Sequence, residues 1–99
     1  MGSLGLSKNK FKASTSGVQH QFKIYGDGLN GFTVAALATS VSTLSWQIDQ
    51  QVGNSNDHVE VKATLTGTAA LTRDTVGDLT ITVSDSTTDP LKVSVTYTN

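Results

Sequence analysis

The chain has 99 residues, so it forms one domain with one core and leaves no room for a second. Seven Lys and Arg against eight Asp and Glu give a formal net charge of -1; a general nucleic-acid binder would show a basic excess over the whole domain. There is no cysteine, which removes disulfides, thiolate nucleophiles and Cys-based zinc sites, and no apolar run reaches the length of a membrane span.

Charge is unevenly placed. Lys8, Lys10, Lys12 and Lys23 precede the first acid, Asp27, while the later chain carries most of the carboxylates. Residues 1–17 are rich in Gly, Ser and Lys, with Leu4, Leu6 and Phe11 as the sizeable apolar groups after Met1. Such a segment lacks the apolar surface to offset its own ordering entropy, so it is expected to be a flexible basic N-terminal arm preceding a domain over 18–99. In an extended arm Lys8, Lys10 and Lys12 lie on one side and Phe11 on the other, a pattern suited to docking on an acidic or amphipathic partner surface.

Val18–Tyr25 alternates cleanly, with Val18, His20, Phe22 and Ile24 on one face, and predicts a strand. Gly26-Asp27-Gly28-Leu29-Asn30-Gly31 follows it and spells the G-x-G-x-x-G dinucleotide fingerprint. That motif works only where a helix N-terminus faces a pyrophosphate within a parallel βαβ unit. The chain beyond it alternates like antiparallel strands, so the stretch is read as a glycine-rich turn with no cofactor.

Thr33–Ala38 reads as a strand, with a short helix as the alternative; a turn at Thr39-Ser40 and a strand from Val41 to Gln50 follow. Trp46 on that strand suits a core position. Gln51–Asp57 is polar and reads as a loop, and His58–Leu65 returns to strand with Val59, Val61, Ala63 and Leu65 inward. Ala69–Leu71 suggests a short strand. Asp78–Val83 and Leu91–Tyr97 then form an alternating pair joined by turn-forming residues ending at Pro90.

Strand centres recurring every ten to twelve residues predict an all-β fold, an antiparallel sandwich or barrel. Three loops carry hard oxygen donors: Asp27 and Asn30; Asn54, Asn56 and Asp57; Asp85 and Asp89. These suit calcium, but Asn and Asp equally serve the turns themselves, and no motif commits them to a metal. His20 and His58 stand at no metal-ligand spacing, and no context marks a catalytic Ser, so the expectation is a non-enzyme without a cofactor.

The run from Phe22-Lys23-Ile24-Tyr25-Gly26 through Trp46 to Leu91–Tyr97, with Leu79–Asp85 as penultimate strand, resembles the immunoglobulin-like domains of phage virion proteins and bacterial surface proteins. The resemblance covers Val18 to Asn99, lacks the Cys pair and tyrosine corner of antibody domains, and transfers no functional residues. It implies an antiparallel immunoglobulin-like β-sandwich of about seven strands with an extended N-terminal arm, and a structural or interaction protein: a phage capsid decoration or other virion accessory subunit. Its partner would be a protein assembly such as a capsid or tail, rather than nucleic acid or membrane, with room for homo-oligomers on that assembly. The arm residues Lys8, Lys10, Phe11 and Lys12 would make the contact. The alternative is an extracellular or cell-surface module for adhesion or for binding carbohydrate or calcium.

Overall fold

The computed structural model describes residues 4–67, 74–84 and 90–98. Within them lie eight strands: β1 (Gly5–Leu6), β2 (Lys10–Lys12), β3 (Val18–Tyr25), β4 (Val34–Thr39), β5 (Leu44–Ser55), β6 (His58–Gly67), β7 (Thr75–Val83) and β8 (Leu91–Thr98). They make two four-stranded sheets, in the orders β1-β3-β6-β5 and β2-β8-β7-β4. Every pairing is antiparallel except β2 with β8. Leaving β2 aside, this is the strand order of a constant-type immunoglobulin sandwich, ABED on one sheet and CFG on the other. The expected short strand at Ala69–Leu71 falls outside the described residues.

The core follows from strict alternation. In β6 every second residue, Val59 to Gly67, is buried, and the facing sheet supplies Leu79, Ile81, Val83, Val95 and Tyr97. Each fully buried aliphatic side chain is worth roughly 1.5–3 kcal/mol over its exposed state, which is why these strands hold one register.

The flexible arm expected over residues 1–17 is corrected by this arrangement. Residues 4–13 split between the sheets, β1 pairing with Ile24 and Tyr25 on β3, and β2 running parallel to β8 with Phe11 opposite Tyr97. Backbone bonds extend the seam, from Ala13 N to Thr98 O at 2.8 Å and from Thr96 N to Asn9 O at 2.9 Å. Phe11 is 0% exposed. Its ring meets the edges or faces of His20, Phe22 and Trp46 at centroid distances of 5.2, 5.4 and 5.1 Å. The composition argument failed because it asked whether the segment could pack by itself. A Lys-Phe-Lys triplet needs only one large inward side chain when the domain leaves an unpaired edge on β8 and space between its sheets.

Further boundaries differ: β5 begins at Leu44 rather than Val41, β6 runs on to Gly67, and β7 begins at Thr75 rather than Asp78. The stretch read as strand over Thr33–Ala38 is strand over Val34–Thr39, taking in the first residue of the expected turn, and the register shifts between Val34 and Ala36, so Leu37 turns inward and Ala36 and Ala38 lie exposed. The polar run 51–55, expected as loop, continues β5 along the edge of its sheet, with shifts between Ile48 and Gln50 and between Gln51 and Gly53. An edge strand paired on one side can be polar on both faces, so its hydropathy carries no alternation to read.

Candidate functional site

One end of the sandwich brings together the β3–β4 loop, the β5–β6 turn and the end of β7. The β3–β4 loop is tied to the β5–β6 turn by Gly26 N to Asp57 O and Leu29 N to Asn56 O, both 3.0 Å, and Asn54 Nδ2 donates to Phe32 O at 2.6 Å. The same loop meets the end of β7, where Ser84 N donates to Thr33 O at 2.8 Å and Thr33 N to Ser84 Oγ at 3.1 Å. Leu29, fully buried, plugs this end from within. Gly28 and Gly31 have φ of 68° and 90°, the left-handed region a side chain disfavours. The G-x-G-x-x-G stretch is therefore a turn leading into the antiparallel strand β4, with no helix behind it.

An open depression of about 450 Å³ sits here, lined by Leu4, Gly5, Tyr25, Gly26, Asp27 and Asp57. Gly26 keeps its floor low, since a Cβ there would lie 2.9 Å from Leu4 Cδ2 and 3.1 Å from Leu29 Cδ1. Tyr25 is 43% exposed, unlike the buried Phe11, Phe22 and Tyr97. Its ring rests against His58 at 6.0 Å.

Ser55, Asp57 and His58 touch one another at the rim. Ser55 Oγ and His58 Nδ1 both approach Asp57 Oδ1, at 2.8 and 2.9 Å, and lie 3.0 Å apart. The Ser55 hydroxyl, and after it His58, hold the Asp57 carboxyl below the usual carboxylate range. The trio is not a nucleophilic triad. In a triad the serine and the carboxylate occupy opposite imidazole nitrogens, so that one orients the ring while the other loses its proton; here both crowd Nδ1. The chemistry on offer is recognition: one exposed aromatic face with the carboxyl groups of Asp27 and Asp57 beside it.

The calcium donors weighed from sequence are thus partly assembled, Asp27 and Asp57 lining one depression. Among the described residues no three His, Cys, Asp or Glu side chains gather as a metal would require. Asp85 and Asp89 lie outside the described residues.

The four expected contact residues take separate roles. Phe11 is core and unavailable as a surface anchor. Lys8 is half-buried, its Nζ 3.0 Å from His20 Nδ1. Lys10 and Lys12 are exposed, with Thr96 and Thr98 opposite them on β8. Tyr25 was passed over, although the alternation of β3 already placed it opposite to His20, Phe22 and Ile24.

A second polar cluster crosses the outer face of the β1-β3-β6-β5 sheet. Asp49 accepts from Gln19 and Gln47, each at 3.1 Å, and from the Thr64 hydroxyl, joining β3, β5 and β6. Its carboxyl is held low by Thr64 first, then Gln19.

No family model matches the chain, and no curated protein matches it. Among solved structures it is similar to a Bacteroides ovatus GH5 xyloglucanase in complex with a XXXG heptasaccharide. The identity is 15% and the TM-score 0.47, covering 97% of this chain and 19% of that one. The chain thus spans about a fifth of that protein's length, and a likeness at this level carries no argument about activity or ligand.

Proposed function

We propose that the chain is a non-enzymatic structural or interaction module that attaches to a larger protein assembly, a virion decoration or accessory subunit being the assembly its sequence suggests. The observation that supports it is Tyr25, an exposed aromatic ring on a strand whose opposite face is core, set where the β3–β4 loop meets the β5–β6 turn. Aromatic side chains dominate interface energetics when they enter a partner's pocket, and connections on a rigid sandwich are where recognition is carried. The attachment surface proposed is this end, because the N-terminal segment is occupied as strand. Lys10 and Lys12, still exposed, would add steering charge rather than an anchor.

Co-sedimentation with the isolated partner particle tests the proposal. Tyr25→Ala should weaken attachment by about tenfold or more while leaving the melting midpoint near that of the parent. Lys10→Ser with Lys12→Ser should weaken it modestly and only at low salt. Undiminished attachment of Tyr25→Ala would remove this end as the docking surface.

The same ring favours a second reading, a carbohydrate-binding surface module, in which a sugar ring stacks on Tyr25 and its hydroxyls donate to Asp27 and Asp57. Saturable oligosaccharide-induced shifts in the Tyr25 ring resonances, lost in Asp57→Asn, would decide for it.

A further inference from the structure

His20 is buried, at 6% exposure, and both of its ring nitrogens are engaged with the N-terminal segment. A carbonyl only accepts, so Nε2, 2.7 Å from Lys12 O, carries the proton and donates. Nδ1 then presents its lone pair to the Lys8 ammonium at 3.0 Å. The groups around the ring are Phe11 from β2, Trp46 from β5 and, opposite in register, Ala63 from β6. Lys8 is the charged side chain facing it, and among the described residues no carboxylate forms an ion pair with it.

We propose that His20 is an acid-sensitive latch for the N-terminal strand: the neutral ring holds residues 8–12 against the sandwich, and the protonated ring expels them. A proton from solvent taken up at Nδ1 replaces the acceptor of the Lys8 bond with an N–H pointing at an ammonium. Attraction turns into like-charge repulsion in a partly desolvated place. The N-terminal strands yield first because β1 and β2 have two and three residues, each at the edge of its sheet. Release would free Lys8, Lys10, Phe11 and Lys12 together and open the edge of β8.

The sign of the pH dependence is fixed by burial, which chiefly lowers the His20 pKa from 6.5, with Lys8 adding to the lowering and the Lys12 carbonyl opposing it. A histidine lowered in the folded state favours folding fully above its ordinary value. That contribution is lost as pH falls from 6.5 towards the folded value. The latch therefore opens in mild acid and not in base.

Amide hydrogen exchange on the full chain, corrected for intrinsic rates, tests it between neutral pH and about pH 5. Protection at Ala13 and Thr96, whose N–H groups bind across the β2–β8 seam, should fall about tenfold or more while β6 and β7 keep theirs. His20→Gln, which keeps a side-chain donor and cannot titrate, should abolish the loss. Lys8→Met should move the His20 titration to higher pH and shrink the loss, and His58→Gln should leave it unchanged. The proposal is overturned by unchanged protection in acid, by equal loss in all strands, or by a transition that follows His58. If His20→Gln does not fold, the ring titration of His20 decides: a loss of protection that does not track it refutes the latch.

Discussion

Gln51, on the edge of one sheet, grips the backbone of Val34, on the edge of the other, at both polar groups. Its Oε1 accepts from Val34 N at 3.4 Å and its Nε2 donates to Val34 O at 3.2 Å. A side-chain amide here takes the place of a neighbouring strand. Three residues on, Asn54 satisfies Phe32 O in the same way. Strand β4 needs such a cover. Val34–Thr39 carries no charge that would repel another chain, and Ala35, Ala36 and Ala38 are exposed.

Gln51→Ala should accordingly act twice. Losing two neutral hydrogen bonds should cost about 1 kcal/mol in a urea melt. The uncovered Val34 edge should also raise self-association, seen by sedimentation or light scattering. A variant with parental stability and an unchanged monomer fraction would show that the amide pair is incidental.

Tyr97→Phe should stabilise the domain. The Tyr97 ring is fully buried beside Phe11, and its hydroxyl is buried with no hydrogen-bond partner among the described residues. An unsatisfied buried polar group costs about 1–3 kcal/mol. Even the lower figure corresponds to a rise of roughly 4–8 °C in melting midpoint for a domain of this size. A fall in the midpoint would mean that the hydroxyl has a bound partner, such as an ordered water.

The chain's own alternation made much of this fold readable. Strand β3 has the limits predicted from Val18 to Tyr25, and the β7–β8 pair was visible in Leu79-x-Ile81-x-Val83 and Leu91-x-Val93-x-Val95-x-Tyr97. What escaped has physical reasons. Phe11 stands alone between two lysines, so its burial depends on a slot made by side chains of β3, β5 and β8, namely His20, Phe22, Trp46 and Tyr97. The shift at Ala35 changes which face follows, and a register shift leaves no trace in hydropathy. The polar second half of β5 draws its order from β6. Tyr25 was legible by parity alone, while the His58–Asp57 contact beside it needed the tight turn at 56–57.

The Asp49 clasp should be visible in acid. Its folded carboxyl is held below 3.8 by Thr64, Gln19 and Gln47. The stabilisation is therefore present above the unfolded value and is lost as pH falls through the folded one. Carboxyl NMR should find Asp49 titrating below an unperturbed aspartate, and Thr64→Val should raise it. Because Asp49 is exposed, melting at neutral pH should hardly change. An ordinary titration for Asp49 in the parent would mean that the hydroxyl and amide donors point elsewhere in solution.

The central structural claim is that the N-terminal segment is part of the sandwich rather than an appendage. Thermal melting of a chain lacking residues 1–13, beside Phe11→Ala in the full chain, tests it most directly. Phe11→Ala should cost about 3–5 kcal/mol, enough to threaten a domain of marginal stability. The truncated chain should melt well below the parental midpoint, because it also removes Leu4, Ala13 and the N-terminal edge strands β1 and β2. A truncated chain that melts cooperatively at the parental midpoint would contradict the account and restore residues 1–13 as a free arm.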